Sequence, residues 1–538
     1  MSFCGEAWAQ STEFTSGDNH ALLYARQMGF SPSGAPTVRM RIADGLTALR
    51  FVPEGDFAVM PSGTGGPTIR LRGGRVYEVT IEAAKPGAYQ YGGILARAPS
   101  PDGLDAARAA VAPSQVETET VEVGAIFALR GHVFDNRESL LMTRRTASRD
   151  ETERRMAAAA RYLPDVESPD VYSELMSYPQ GRIVLRDESE TVQIEHANLM
   201  WIDLPEAGAR LFDIADESGR RGELRLNSQI VVTPDHDGRI AVVQSADVET
   251  ILRGIVPAEI FASAPEAALM AQAIAARTTL VAQAGARHTA DPWHLCNRQH
   301  CQVYRGLSGA DPRTDAAIEK TRGQILFYGK DLVQSYYSAH CGGFSAGAAE
   351  TWGLPDRPYL AAHGDNHDEG LPPFADDAAF LAWWRATPVD YCSGAPEGQK
   401  PFASTKHARW NVHLSADEIA ALCKKAGHDV GTVQDVEILE RGASFRVTRL
   451  RVRGTKGEVT VERELPVRRL LGGLRSALFA VSIERSGKKL ASVDIYGAGF
   501  GHGVGLCQTG AIGMAQRGIR AEDILLHYFP GTHVDRLW

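Results

Sequence analysis

The chain holds no run approaching the roughly 18 consecutive apolar residues of a membrane helix. It has no excess of basic residues. Lys and Arg number 57 against 66 Asp and Glu, for a formal net charge of −9. That argues against a general nucleic-acid binder, although a local basic groove stays compatible with it. Repeats at solenoid periods are absent, as are low-complexity linkers. The first residues, MSFCGEAWAQSTEFTSGDNH, have neither a basic start nor an apolar core, so they do not read as a signal peptide. Cysteine is scarce, seven in 538 residues, so the places where it clusters carry weight. What remains is an ordinary globular mixture, 44% apolar and 23% charged. The length exceeds one compact core and points to two to four domains.

The texture changes along the chain. Residues 36–95 read as short strands (TVRMRI, TALRFV, TIRLRG, RVYEVTIEA) with glycine-rich turns. The charged stretch DNRESLLMTRRTASRDETERRMAAAARY is expected to be a surface helix. Strands resume at GRIVLRD, ETVQIEH and ANLMWIDL. From Gly222 two strands flank the turn DHDG, and the period then switches. The segment SAPEAALMAQAIAARTTLVAQA follows, with Ser263 and Glu266 at capping-box spacing and Pro265 in the first turn. Its alanine content suits a central helix packed close to its neighbours. Between 363 and 480, LSADEIAALCKKAG is a helix with a Ser N-cap, and VQDVEILERG, FRVTRLRVRG and EVTVERELPV are strands. The expected fold is α+β. A β-rich domain at 1–110 and a mixed connecting region at 111–221 precede an α+β domain at 222–538, with 363–480 inserted in it as an α+β subdomain.

Three places carry chemistry. Glu259 stands in GIVPAEIF, among Ile255, Val256, Pro257, Ile260 and Phe261. A carboxylate in apolar surroundings is harder to ionise, which makes it a candidate general acid. CNRQHCQVYRG, 296–306, packs Cys296, His300 and Cys301 into six residues, with His288 and His294 just upstream. Finally, YGAGFGHGVGLCQTGAIGMAQRG and SYYSAHCGGFSAG are glycine-rich. Glycine at that density lets backbone approach backbone or ligand closely. The first is not a phosphate loop, because no Lys-Ser/Thr ending follows.

ETILRGIVPAEI with EAALMAQAIAARTTL, then LCNRQHCQVYRG, YYSAHCGGFSAGAAETWG and GFGHGVGLCQTGAIGMAQRG…ILLHYFPGT resemble, in order, the motifs of the SpoIID/LytB family. The resemblance runs from about Gly222 to Trp538. It implies a bacterial cell-wall protein, whose sporulation members are lytic transglycosylases acting on peptidoglycan. The family's catalytic glutamate then falls on Glu259, and an active-site arginine on Arg277. Tyr337, His502 and Gln508 become candidate substrate-groove residues. Zinc, one ion per chain, would be held by Cys296, His300, Cys301 and either His288 or His294, with His288 the better match in context. Four protein ligands of this type leave no open position, so that zinc would be structural.

The two glycine-rich motifs should meet at the active site, which makes Cys341 and Cys507 a candidate disulfide. Cys392 and Cys423 are a weaker pair, and Cys4 is left over. Disulfides would suit a periplasmic or extracellular location, with the export signal missing from this chain. The function expected is cleavage of the bond between N-acetylmuramic acid and N-acetylglucosamine in peptide-stripped glycan, with Glu259 as acid and base. A non-catalytic peptidoglycan binder that enhances a cell-wall amidase is the alternative. A metal-dependent amidase or peptidase fits poorly with a closed ligand set.

Overall fold

The computed structural model describes residues 19–538, apart from 62–65, 130, 164–169, 217, 367–369, 372–373, 388, 395–404 and 488. Cys4 lies outside the described residues. The fold is mixed α+β. Two antiparallel sheets dominate the first half. One orders the strands 29–30, 36–46, 240–247, 229–234, 200–203, 57–60 and 69–71, with Leu295–Cys296 added in parallel against Met40 and Arg41. The other orders 193–197, 180–187, 77–85, 48–53, 209–215 and 221–226. Alternate residues of Leu49–Phe51, Tyr77–Val79 and Ile183–Leu185 face inward and are fully or almost fully buried, the period expected of strands with one face on a core.

These pairings run across the boundaries that composition suggests. The hairpin 209–215/221–226 straddles residue 222, and strands on both sides of 222 share the first sheet. Strand Ala88–Ala98 likewise pairs with Glu138–Thr143 and Val171–Ser177, on the far side of 110. Strand partners are chosen by hydrogen bonding and burial, which need not follow sequence texture. For the same reason the charged stretch is not one helix. Its ESLLMT is a buried strand between 88–98 and 118–123, and only Arg149–Ala160 is helical, capped by Ser148. The later segment has a hydrophobic core of its own, from Trp410 to Ile495, which extends past 480 because strands 479–486 and 489–497 pair with each other and 489–497 also with 410–415. Its helix Ala416–Lys425 carries the expected Ser415 N-cap, and Glu418 completes a capping box with it.

Two helices organise the centre. The change of period after Ala246 is a helix, Val248–Glu259, whose N-cap Asp247 accepts from the Thr250 N–H at 2.8 Å. The alanine-rich helix spans Glu266–Gln283. Extended Pro265 is its N-cap, so the helix starts two residues too late for the Ser263 capping box. Ala268, Ala271, Ala273, Ala275 and Ala276 are all fully buried, and small side chains let neighbouring elements approach.

Where the two helices meet, Arg277 and Glu249 form an ion pair at 2.7 Å. Arg277 is 0% exposed and Glu249 6%. Arg277 also donates to the carbonyls of Ile318 and Gln324, both at 3.2 Å. Glu249 accepts from the Gly323 N–H at 3.0 Å and the Trp538 indole N–H at 2.9 Å. The pair thus joins both helices, the turn at 318–324 and the last residue. Removing one member of a buried pair strands the other charge, at a cost of about 3–5 kcal/mol. Arg277→Ala is expected to lose stability on that scale in urea denaturation. Arg277→Met/Glu249→Leu should lose less than the single change; a double variant as unstable as the single one would show that the charge pairing is not what matters.

Candidate active site

Glu259 is the last residue of its helix and half-buried. The Val303 N–H donates to its Oε1 at 3.2 Å. Gln302, one residue earlier, accepts the Tyr337 O–H at 2.7 Å. The Tyr337 phenol is pushed well above its ordinary pKa, first by burial and then by the charge of Glu259. Three distant stretches, 259, 302–303 and 337, therefore converge.

The second glycine-rich segment joins them through a short parallel ladder that pairs Tyr337 with Leu506 and Ser338 with Cys507. Gly505 has φ +69°, and a Cβ there would lie 2.2 Å from the Tyr336 carbonyl oxygen, so only glycine lets these strands come together. His502 stands beside this ladder. Its Nδ1 accepts from the Val504 N–H at 3.0 Å and its ring lies 4.9 Å from that of Trp352. Gln508 is buried, and its amide N–H₂ donates to Gln272 of the alanine-rich helix at 3.4 Å. The structure thus brings Tyr337, His502 and Gln508 into one neighbourhood, with Gln508 facing the core.

Arg277 is not grouped with them. Its donors are engaged by Glu249, Thr321 and two backbone carbonyls, and it has no exposed surface. The expected catalytic arginine is a structural one, because the same alanine-rich packing that positions it also seals it from solvent.

Beside Glu259, His288, Cys296, His300 and Cys301 bring one donor atom each within 4.8 Å of one another. Cys301 Sγ is 3.4 Å from His288 Nε2 and 3.4 Å from His300 Nδ1; Cys296 Sγ is 3.7 Å from His300 Nδ1. Bond lengths of about 2.0–2.3 Å to a tetrahedral ion would set these edges at roughly 3.3–3.8 Å. The donors fit such an ion. His288 Nδ1 lies 2.9 Å from Asp291 Oδ2, an arrangement that fixes the ring and leaves Nε2 facing the sulfurs. His294 is engaged elsewhere, with its Nδ1 3.2 Å from the Arg39 N–H and its Nε2 2.7 Å from the guanidinium. Because Val303 follows this loop, the cluster also holds the N–H that contacts Glu259.

Among the described cysteines, none forms a disulfide. Cys341 and Cys507 do meet, through the Cys341 N–H and Cys507 Sγ at 3.2 Å, but the pair is a trio, since Cys392 Sγ lies 3.6 Å from Cys341 Sγ. Cys423 is far from Cys392 in structural terms. It belongs to the separate core of the 410–495 segment, so that pairing falls.

Comparison with known proteins adds to this geometry. Residues 236–328 match the family SpoIID, Stage II sporulation protein. The chain carries a SpoIID-family domain. Residues 346–505 match a Domain of unknown function (DUF8618). The chain is 28% identical to an Amidase enhancer of Bacillus subtilis over 52% of its own length and 40% of that protein's. It spans less than half of that relative. It is 25% identical to a Stage II sporulation protein D of Bacillus amyloliquefaciens, covering 54% of this chain and 75% of that one. An uncharacterized protein of Brachyspira hyodysenteriae is 25% identical over 66% and 85% of the two chains.

The SpoIID segment contains Glu259 and all four Cys/His donors, whereas Tyr337 and His502 come from outside it. Gln302, Asp291 and Trp352 are site residues that sequence reasoning missed. Gln302 could have been suspected from its place directly after Cys301. No local signal marks Trp352 as a neighbour of His502.

Burial pulls the His502 pKa down to about 4, against a smaller opposing effect of the Tyr337 backbone. The unfolded chain would bind a proton here near pH 6.5. Between these values the unfolded state holds more protons, so His502 withdraws stability as pH falls through that window and not above it. An NMR titration is expected to find the His502 ring neutral at pH 5.5. Protonation near 6.5 would show that the ring is solvated.

Proposed function

We propose that the chain is a peptidoglycan lytic transglycosylase, with Glu259 as the acid and base. What carries the reading is the placement of Glu259. It is half-buried at the meeting point of two glycine-rich segments, the Cys/His loop and the Tyr337 phenol. The C-terminal end of a helix disfavours negative charge, which suits a group that must act as an acid. The Val303 N–H steadies the carboxylate once the proton has left. Similarity to Stage II sporulation protein D supports the assignment.

The chemistry needs one carboxylate. Glu259 donates its proton to the glycosidic oxygen between N-acetylmuramic acid and N-acetylglucosamine. As carboxylate it then takes the proton of the muramic acid C6 hydroxyl, whose oxygen closes on C1. The C1–oxygen bond breaks, a 1,6-anhydro ring forms and no water is consumed. Intramolecular attack is favoured because the hydroxyl is already held near C1. Tyr337 and His502 would line the groove. Peptidoglycan as substrate places the protein in the periplasm or outside the cell. Among the described residues no helix is long and apolar enough to cross a membrane.

The Cys/His group would hold one zinc ion as a closed, structural site. Its role would be to fix the loop that carries Gln302 and Val303. Metal analysis of purified protein is expected to show that His288→Ala loses this ion, that His294→Ala keeps it, and that Asp291→Asn binds it about 10–100-fold more weakly. Retention of the ion by His288→Ala would overturn the ligand set.

Similarity to an amidase enhancer favours a second reading, a peptidoglycan binder that stimulates a cell-wall amidase without cutting glycan itself. Mass spectrometry of products from purified, peptide-stripped glycan separates the two. Cleavage is expected to yield 1,6-anhydro-N-acetylmuramic ends and to vanish in Glu259→Gln, with glycan binding retained. Reducing ends alone would overturn transglycosylation; binding and amidase stimulation with no cleavage by the wild type would establish the enhancer.

A further inference from the structure

Cys341, Asp365, Cys392 and Cys507 form a second closed group, remote in sequence from the first. Their donor atoms lie within 4.8 Å of one another. Exposures are 0%, 1%, 6% and 1%. We propose that these four residues bind a second zinc ion, which pins the root of the 346–505 segment to the ladder that carries Tyr337.

Geometry and charge point the same way. A tetrahedral zinc with bonds of about 2.3 Å places its sulfurs roughly 3.8 Å apart; Cys341 Sγ and Cys392 Sγ are 3.6 Å apart. Cys507 Sγ accepts two backbone N–H groups, from Cys341 at 3.2 Å and Gly510 at 3.3 Å. Such bonds stabilise a thiolate. Asp365 accepts the Cys392 N–H at 2.8 Å on Oδ2 and the Tyr528 O–H at 2.5 Å on Oδ1. Both donors are neutral, and each oxygen keeps a further lone pair for a cation. The nearby Arg446 instead donates to the carbonyls of Cys341 at 2.7 Å and Phe344 at 3.1 Å. From there it tempers the surplus negative charge that three thiolates and a carboxylate would leave around a dication. A buried cluster of acidic groups without a direct cationic partner is costly, and coordination removes that cost. Three sulfurs select a soft ion over magnesium or calcium.

Only the missing side chain of Gly510 leaves room for this arrangement. A Cβ there would fall 1.9 Å from the Tyr528 hydroxyl oxygen and 2.7 Å from Asp365 Oδ1. A disulfide would join two of the sulfurs and leave the third beside an uncompensated carboxylate. The placement also has a purpose. Cys341 and Cys507 lie just outside the two ends of the 346–505 match, and Asp365 and Cys392 lie within it. Cys507 pairs with Ser338 in the ladder, next to Tyr337. One ion would therefore hold the inserted segment and both glycine-rich stretches in a single register.

Native mass spectrometry of the full chain, purified with zinc under reducing conditions, tests this. The wild type is expected to carry two zinc ions, and Cys296→Ser/Cys301→Ser and Cys392→Ser one each. Because Cys392→Ser could fail to fold, cobalt substitution of Cys296→Ser/Cys301→Ser provides a second readout. Its thiolate-to-cobalt absorption should report three sulfurs. Retention of one ion by Cys296→Ser/Cys301→Ser supports the site, even if the first group holds none. A wild type whose ions are all lost in that folded variant, or a disulfide among Cys341, Cys392 and Cys507 in peptide maps of the exported protein, would overturn it. Neither readout depends on glycan cleavage, so failure of the enzymatic reading leaves this result intact.

Discussion

The buried pair of Arg277 and Glu249 is the constraint on which the centre of this protein rests. It sits where the helix ending in Glu259 crosses the alanine-rich helix, and it also receives Gly323 and Trp538. A desolvated ion pair contributes little net stability against an apolar replacement, but it tolerates few geometries. The hydrogen bonds that converge at this point therefore fix the direction of the helix that presents Glu259. Trp538 is held by the same carboxylate as the alanine-rich helix, which ties the segment matched to SpoIID to a residue far beyond it in the chain.

Around that centre, the catalytic candidate is reached from three sides. The Cys/His loop supplies the N–H on Glu259, the first glycine-rich segment supplies Tyr337, and the second supplies the strand that pairs with it. None of these three segments is a long regular element, so helix or sheet propensity cannot hold them in place. Buried polar groups and clusters of cysteine, histidine and aspartate do so instead. Two such groups flank the site. The first lies within the segment matched to SpoIID, and the second lies at the root of the following segment.

The second group also explains why a pairwise reading of cysteines goes astray. Cys341 and Cys507 are adjacent in space, as the convergence of their motifs suggests, yet a third sulfur and a carboxylate arrive from residues 392 and 365. Nothing local distinguishes Cys392 from Cys423. Both are isolated cysteines in the same stretch, and only packing sends one to the ladder and the other into a separate core.

Periodicity and spacing in the sequence determined the strands within 36–95 and 180–204, the alanine-rich helix, the capped helix at 416–425 and the compact Cys/His motif. Each of these rests on interactions between residues close in the chain, where the pattern and the contact are nearly the same thing. Motif order led to the expectation that Glu259, Tyr337 and His502 would be neighbours. The tertiary structure alone decided the rest. It placed strands from before and after residue 222 in one sheet, buried Arg277 in the core, and set His288 beside the cysteines while His294 packs against Arg39. In each case the outcome depends on which distant group neutralises or buries a side chain, and that partner leaves no mark in the residues beside it.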